Sequence, residues 1–169
     1  MIDWKLLLNN LGVEDREIVF TYLFLFSRFE YALKKCKYTH RENNGVSANW
    51  ECFIKNVKED FNKDRTEELS DSVTCLLDNP PQAQILDENG NLVFKRHVST
   101  DQGPVPLRLY NCLRIVRNNL FHGGKYPGNP VSDTARDKKL LQCCITILND
   151  FIQLDSSINF AFLETGSKK

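Results

Sequence analysis

The stretch Arg117-Asn118-Asn119-Leu120-Phe121-His122-Gly123-Gly124 holds the side chains of this chain best suited to act on a phosphodiester. Arginine is a permanent cation whose planar fork binds two phosphate oxygens at once. Histidine exchanges a proton near neutral pH. The pair supplies what phosphodiester cleavage needs when no metal takes part. Two glycines follow at once and predict a helix stop there, with His122 at its frayed end.

On an uninterrupted helix, positions 117 and 122 lie about 140° apart around the axis and share no face. Convergence of the two side chains therefore requires the helix to end near His122. Arg117 lies one turn past Leu113 and one turn before Leu120, so its stem runs along the apolar stripe. A buried guanidinium needs an acceptor. Glu30, which borders the apolar face of an upstream helix, is the candidate. A structural reading stands beside the chemical one. An Arg117–Glu30 pair can simply fix the register of a bundle, and His122 can be a helix-end residue favoured by the dipole.

The elements that must position these residues follow from hydrophobic period. Residues 3–10 predict a short leading helix. Glu14-Asp15 open the longest pattern, running to about Tyr38, with Ile18, Tyr22, Leu25, Phe26, Phe29, Leu33 and Cys36 at helical spacing. Asn43-Asn44-Gly45 reads as a turn, 47–61 as a second helix and 66–78 as a third, stopped by Asn79-Pro80-Pro81. The period then changes. Ile85-Leu86, Glu88-Asn89-Gly90-Asn91 and Leu92-Val93-Phe94 predict a β-hairpin over about 83–97, which must pack on the bundle or a partner. Lys95-Arg96-His97 end it as a small basic cluster that suits either a solvated strand end or an RNA contact. A helix over 106–121 leads into the motif, and Tyr126-Pro127-Gly128-Asn129-Pro130 form a loop. Ser132 or Asp133 caps a last long helix to about Leu154, and the tail to Lys169 ends in a polar stretch expected to fray.

The 169 residues, 41% hydrophobic and 26% charged, fit one globular domain with a substantial core. The formal net charge is zero, so any nucleic-acid surface must be a local cleft. Six cysteines without a CxxC pair or matched histidine spacing read as small buried hydrophobes in a reducing compartment. No signal-peptide pattern or membrane-length apolar run occurs, so a cytoplasmic location with no membrane partner is expected. P-loop, GxGxxG, HExxH and Ser/His/Asp signatures do not occur in the sequence.

In its motif and helix order the chain resembles the HEPN superfamily, all-α domains whose ribonuclease members carry R-x4–6-H at the end of a late helix. Arg117-(x4)-His122 matches that pattern, with polar Asn118 directly after the arginine, and Glu30 takes the place of the glutamate on the long early helix. The likeness covers residues 14–155 of a single domain spanning 1–169 and is sharpest over 114–124. It implies an up-and-down helical bundle of HEPN type, to which the hairpin at 83–97 is an insertion.

The resemblance also implies an activity, a metal-independent endoribonuclease with no cofactor and no bound metal. The 2′-hydroxyl of RNA attacks the adjacent phosphorus, with His122 as base or acid, a role worth roughly 10²–10⁴-fold. Arg117 holds the non-bridging oxygens, Asn118 adds a donor or orients His122, and Glu30 steadies Arg117. One histidine seldom serves as both acid and base. A homodimer with a composite site is therefore expected, acting on RNA in a toxin or defence setting, with an antitoxin protein as a further partner. The alternative is a non-catalytic HEPN-like module that dimerises or binds nucleotide.

Overall fold

A computed structural model describes residues 16–43, 45–121 and 134–164. The expected leading helix at 3–10, the loop at 126–130 and the Ser132/Asp133 cap lie outside these residues. The described chain is mostly helical, with two small antiparallel hairpins. In chain order it forms α1 (Arg16–Lys35), β1 (Thr39–Glu42), β2 (Gly45–Ala48), α2 (Trp50–Val57) and α3 (Glu67–Asp78). It continues with β3 (Gln82–Leu86), β4 (Leu92–Arg96), a 3₁₀ turn (Val98–Thr100), α4 (Val105–Phe121), α5 (Thr134–Gln153) and α6 (Ser156–Leu163).

The helices form where periodicity and caps agree. In α1, Tyr22, Phe26, Phe29 and Leu33 are all buried, a stripe at spacings of four and three. Thr66 caps α3 by accepting from the Leu69 amide at 3.1 Å, as its sequence signature predicts. Helix α5 packs against α1, α3, α4 and α6, and its Ile147, Leu148 and Phe151 are fully buried. Aromatic rings join α1, α2 and α5: Phe53 lies edge-on to Phe29 at 5.4 Å and to Phe151 at 6.2 Å.

Three elements differ from expectation. The first is a second hairpin, β1–β2, paired from Thr39↔Ala48 to Glu42↔Gly45. It takes residues assigned to the start of a helix at Ser47, so α2 begins at Trp50, where the Asn49 side chain accepts from the Cys52 amide at 2.9 Å. The second is the end of α1. The Tyr38 amide reaches the Leu33 carbonyl at 2.9 Å and the Lys37 amide reaches Lys34 at 3.1 Å, a paired closure with Lys37 at φ +68°. The helix therefore ends at Lys35, three residues short of the expected end near Tyr38. The third is α6, which stands in the segment read as the start of a tail. Asp155 caps it by accepting from the amides of Ser157 and Ile158, and Ile158 and Ala161 bury into the core.

The expected hairpin is present as β3–β4, with Ile85↔Val93 and Leu86↔Leu92 paired. Its turn is closed by Asp87, whose Oδ1 accepts from the amides of Asn89 and Asn91, while Gly90 adopts φ +79°. It packs on the bundle: Asn119 of α4 donates to the Gln82 carbonyl at 2.9 Å.

Candidate functional site

The last turn of α4 lies beside the middle of α1. Tyr22, fully buried in α1, donates its hydroxyl to the Leu113 carbonyl of α4 at 2.6 Å. That bond fixes the two helices one turn below Arg117. A buried phenol without it would carry the full cost of an unmet donor.

Arg117 and Glu30 meet across this junction, with Nη2 4.0 Å from Oε2. That is an ion pair at its outer limit, too long for a hydrogen bond. The guanidinium donates through Nη1 to Oδ1 of Asn118 at 2.9 Å. It also lies 5.6 Å from the ring centres of both Phe26 and Phe121, a distance at which the ring faces attract a cation. The Arg117 side chain is 34% exposed and that of Glu30 29%. The guanidinium is thus flanked by two rings and a carboxylate, while among the described residues its five N–H donors make a single hydrogen bond.

Glu30 is held from the other side. The indole N–H of Trp50 donates to Glu30 Oε1 at 3.2 Å. Trp50 in turn stacks on Tyr110 of α4 with centroids 4.7 Å apart and planes 18° from parallel. Arg114 of α4 lies 5.9 Å over the Tyr110 ring. Burial pushes the Tyr110 phenol above its ordinary value, with Glu30 adding to the rise and Arg114 opposing it. Arg114, Tyr110, Trp50, Glu30 and Arg117 thus form one connected line of side chains drawn from three helices.

Of the four residues singled out from sequence, Glu30, Arg117 and Asn118 come together. Asn118 accepts from Arg117 through its Oδ1. His122 and the two glycines lie outside the described residues, directly after Phe121. Trp50 and Tyr110 belong to the site and were legible only as apolar members of their helices.

Other candidates are occupied locally. Arg96 pairs with Asp101, and His97 accepts from the Ser99 amide at 3.2 Å to cap the 3₁₀ turn. Arg108 donates to the Thr100 carbonyl at 2.8 Å. The cluster Lys95-Arg96-His97 is therefore the end of a strand tied to its own turn. All six cysteines are free thiols; Cys112, Cys143 and Cys144 are buried, Cys36 and Cys75 half-buried and Cys52 exposed. Burial raises the Cys112 thiol to about 12 and that of Cys143, which also neighbours Cys75, to about 11. Among the described residues no three His, Cys, Asp or Glu side chains are grouped to hold a metal ion, and no helix is long and apolar enough to cross a membrane. No model of a known protein family matches the chain, and no curated protein or solved structure is significantly similar to it.

Proposed function

We propose that this chain is a HEPN-type endoribonuclease that cleaves RNA by attack of the 2′-hydroxyl, with Arg117 and His122 as its catalytic pair. The observation that carries this reading is the state of Arg117. Its guanidinium lies 5.6 Å from the ring centres of Phe26 and Phe121, Glu30 stands 4.0 Å away, and the side chain remains one-third exposed. An arginine held this way is positioned in advance and still has donors for phosphate oxygens.

In the proposed reaction a base takes the proton of the 2′-hydroxyl and the oxygen attacks phosphorus. The P–O5′ bond breaks, and an acid protonates the leaving oxygen. The products are a 2′,3′-cyclic phosphate and a 5′-hydroxyl. Arg117 stabilises the charge that builds on the non-bridging oxygens. His122 takes the acid or base role, and a second copy of the chain supplies the other histidine. Zero net charge favours a confined cleft for RNA over a broad basic face. A cytoplasmic toxin or defence role, with an antitoxin partner, follows from the resemblance alone.

One observation favours the second reading, a non-catalytic dimerising or nucleotide-binding module. The line from Arg114 to Arg117 is also what a purely structural clamp between α1, α2 and α4 looks like. RNA cleavage with chelator present separates the two. Wild type should cut RNA and leave DNA of the same sequence intact, while Arg117→Ala and His122→Ala should lose the activity. Equal behaviour of all three proteins would sink the nuclease.

A further inference from the structure

Helix α1 carries a second pattern, unrelated to its buried stripe. Glu17, Phe20, Phe24, Ser27, Tyr31 and Lys34 recur at spacings of three, four, three, four and three, and all but the half-buried Lys34 are exposed. The rings are bare to an unusual degree: Phe20 is 71%, Phe24 56% and Tyr31 49% exposed. Phe20 and Phe24 stack on one another at 6.2 Å. A 3–4 spacing is the seam of a helix that packs along a partner helix. Large rings grouped on one exposed face mark an interaction surface.

The order of residues in the seam says which partner. Read in both directions about its midpoint, between Leu25 and Phe26, the seam matches its own complement. Glu17 falls opposite Lys34, Phe20 opposite Tyr31, and Phe24 opposite Ser27. Each layer pairs acid with base, ring with ring, or large with small. Self-complementarity of this kind is what a two-fold interface requires, since one patch must serve both copies.

We propose that α1 pairs antiparallel with α1 of a second copy along this seam. The dyad then passes beside Leu25 and Phe26. Of the two residues that flank Arg117, Glu30 lies about a quarter turn and Phe26 about 130° around α1 from the seam. A dyad perpendicular to both helices keeps that flank on the same side in each copy. The two Arg117 side chains therefore lie on the same side of the paired helices, bordering one groove, and Phe121, 63% exposed, stands beside each guanidinium. Use of the groove for cleavage rests on the ribonuclease reading, whereas the pairing does not.

Sedimentation velocity on the full chain at micromolar concentration tests this, with circular dichroism and melting as controls for folding. Wild type should sediment as a dimer and Phe24→Arg as a folded monomer. Glu17→Lys should weaken the dimer about tenfold by setting like charges together, and Glu17→Lys combined with Lys34→Glu should restore it. A monomeric wild type, a Phe24→Arg dimer, or no rescue in the charge swap would each overturn the proposal. RNA cleavage read on the same samples keeps the two ideas apart. A dimer that does not cut leaves the pairing and removes the nuclease, whereas a monomer that cuts removes the pairing and the composite site and leaves cleavage to the Arg117 and His122 of one chain.

Discussion

Trp50 donates its indole N–H to Oε1 of Glu30 at 3.2 Å, so the carboxylate facing Arg117 is oriented by a side chain from a third helix. The same ring stacks on Tyr110, which fixes its plane. Glu30 thus has one oxygen committed to Trp50 and the other turned toward the guanidinium.

Replacing Trp50 with Phe removes the donor while keeping most of the apolar ring. Loss of one half-buried hydrogen bond to a charged acceptor is expected to cost about 1–2 kcal/mol in chemical denaturation. If Glu30 positions Arg117, RNA cleavage falls by more than the lost stability accounts for. Activity unchanged in folded Trp50→Phe protein would show that this orientation is structural only.

Arg117→Lys keeps the positive charge and gives up the flat fork. Lysine cannot offer two parallel donors to a phosphate, nor set a planar guanidinium between Phe26 and Phe121. Cleavage is expected to drop roughly 10²-fold, the scale on which one oriented donor acts. The fold should persist, because the Tyr22–Leu113 bond and the α4 stripe are untouched. Near-normal cleavage by the lysine variant would reduce the role of Arg117 to that of a point charge.

Much of this arrangement was legible in the sequence, and the failures have physical causes. Helices α1, α3, α4 and α5 announced themselves by long apolar periods, and β3–β4 by the Asn-Gly turn between two apolar runs. The β1–β2 hairpin did not, because Thr39–Glu42 is polar and four residues give no usable alternation. Helix α6 was readable from its Asp155 cap, but eight residues after a long helix look like its fraying end. Glu30 facing Arg117 was inferred from the need of a buried cation for an acceptor. Trp50 was out of reach, since period says which face of a helix is buried and not which helix crosses it.

Lys37 closes α1 in the left-handed region, φ +68°, where glycine is the usual occupant. A side chain there meets its own carbonyl and costs about 1 kcal/mol. Lys37 is exposed. Lys37→Gly is therefore expected to raise the melting temperature by about 2–4 °C, the shift such an energy produces in a domain of this size. Lys37→Ala keeps the Cβ and should not share the gain. Equal melting of the glycine and alanine variants would place the cause outside the backbone.

Asp150 of α5 is 7% exposed; its Oδ1 meets Nη1 of Arg65 at 2.9 Å, and its Oδ2 is buried without a hydrogen bond. Burial raises its carboxyl above the usual range, more than Arg65 lowers it. A carboxyl whose folded value is raised favours folding most when protonated. Its contribution is therefore complete below the unfolded value, near 3.8, and fades as pH rises through the folded one. At neutral pH the wild type carries an ionised group that the interior penalises. Asp150→Asn does not titrate, so its stability relative to wild type should improve steadily from pH 3.5 to pH 7. Denaturant melts of both proteins across that interval measure the difference. A gap that stays flat, or widens toward acid, would mean that the Arg65 pair outweighs burial and that this carboxylate stabilises the fold as an ion.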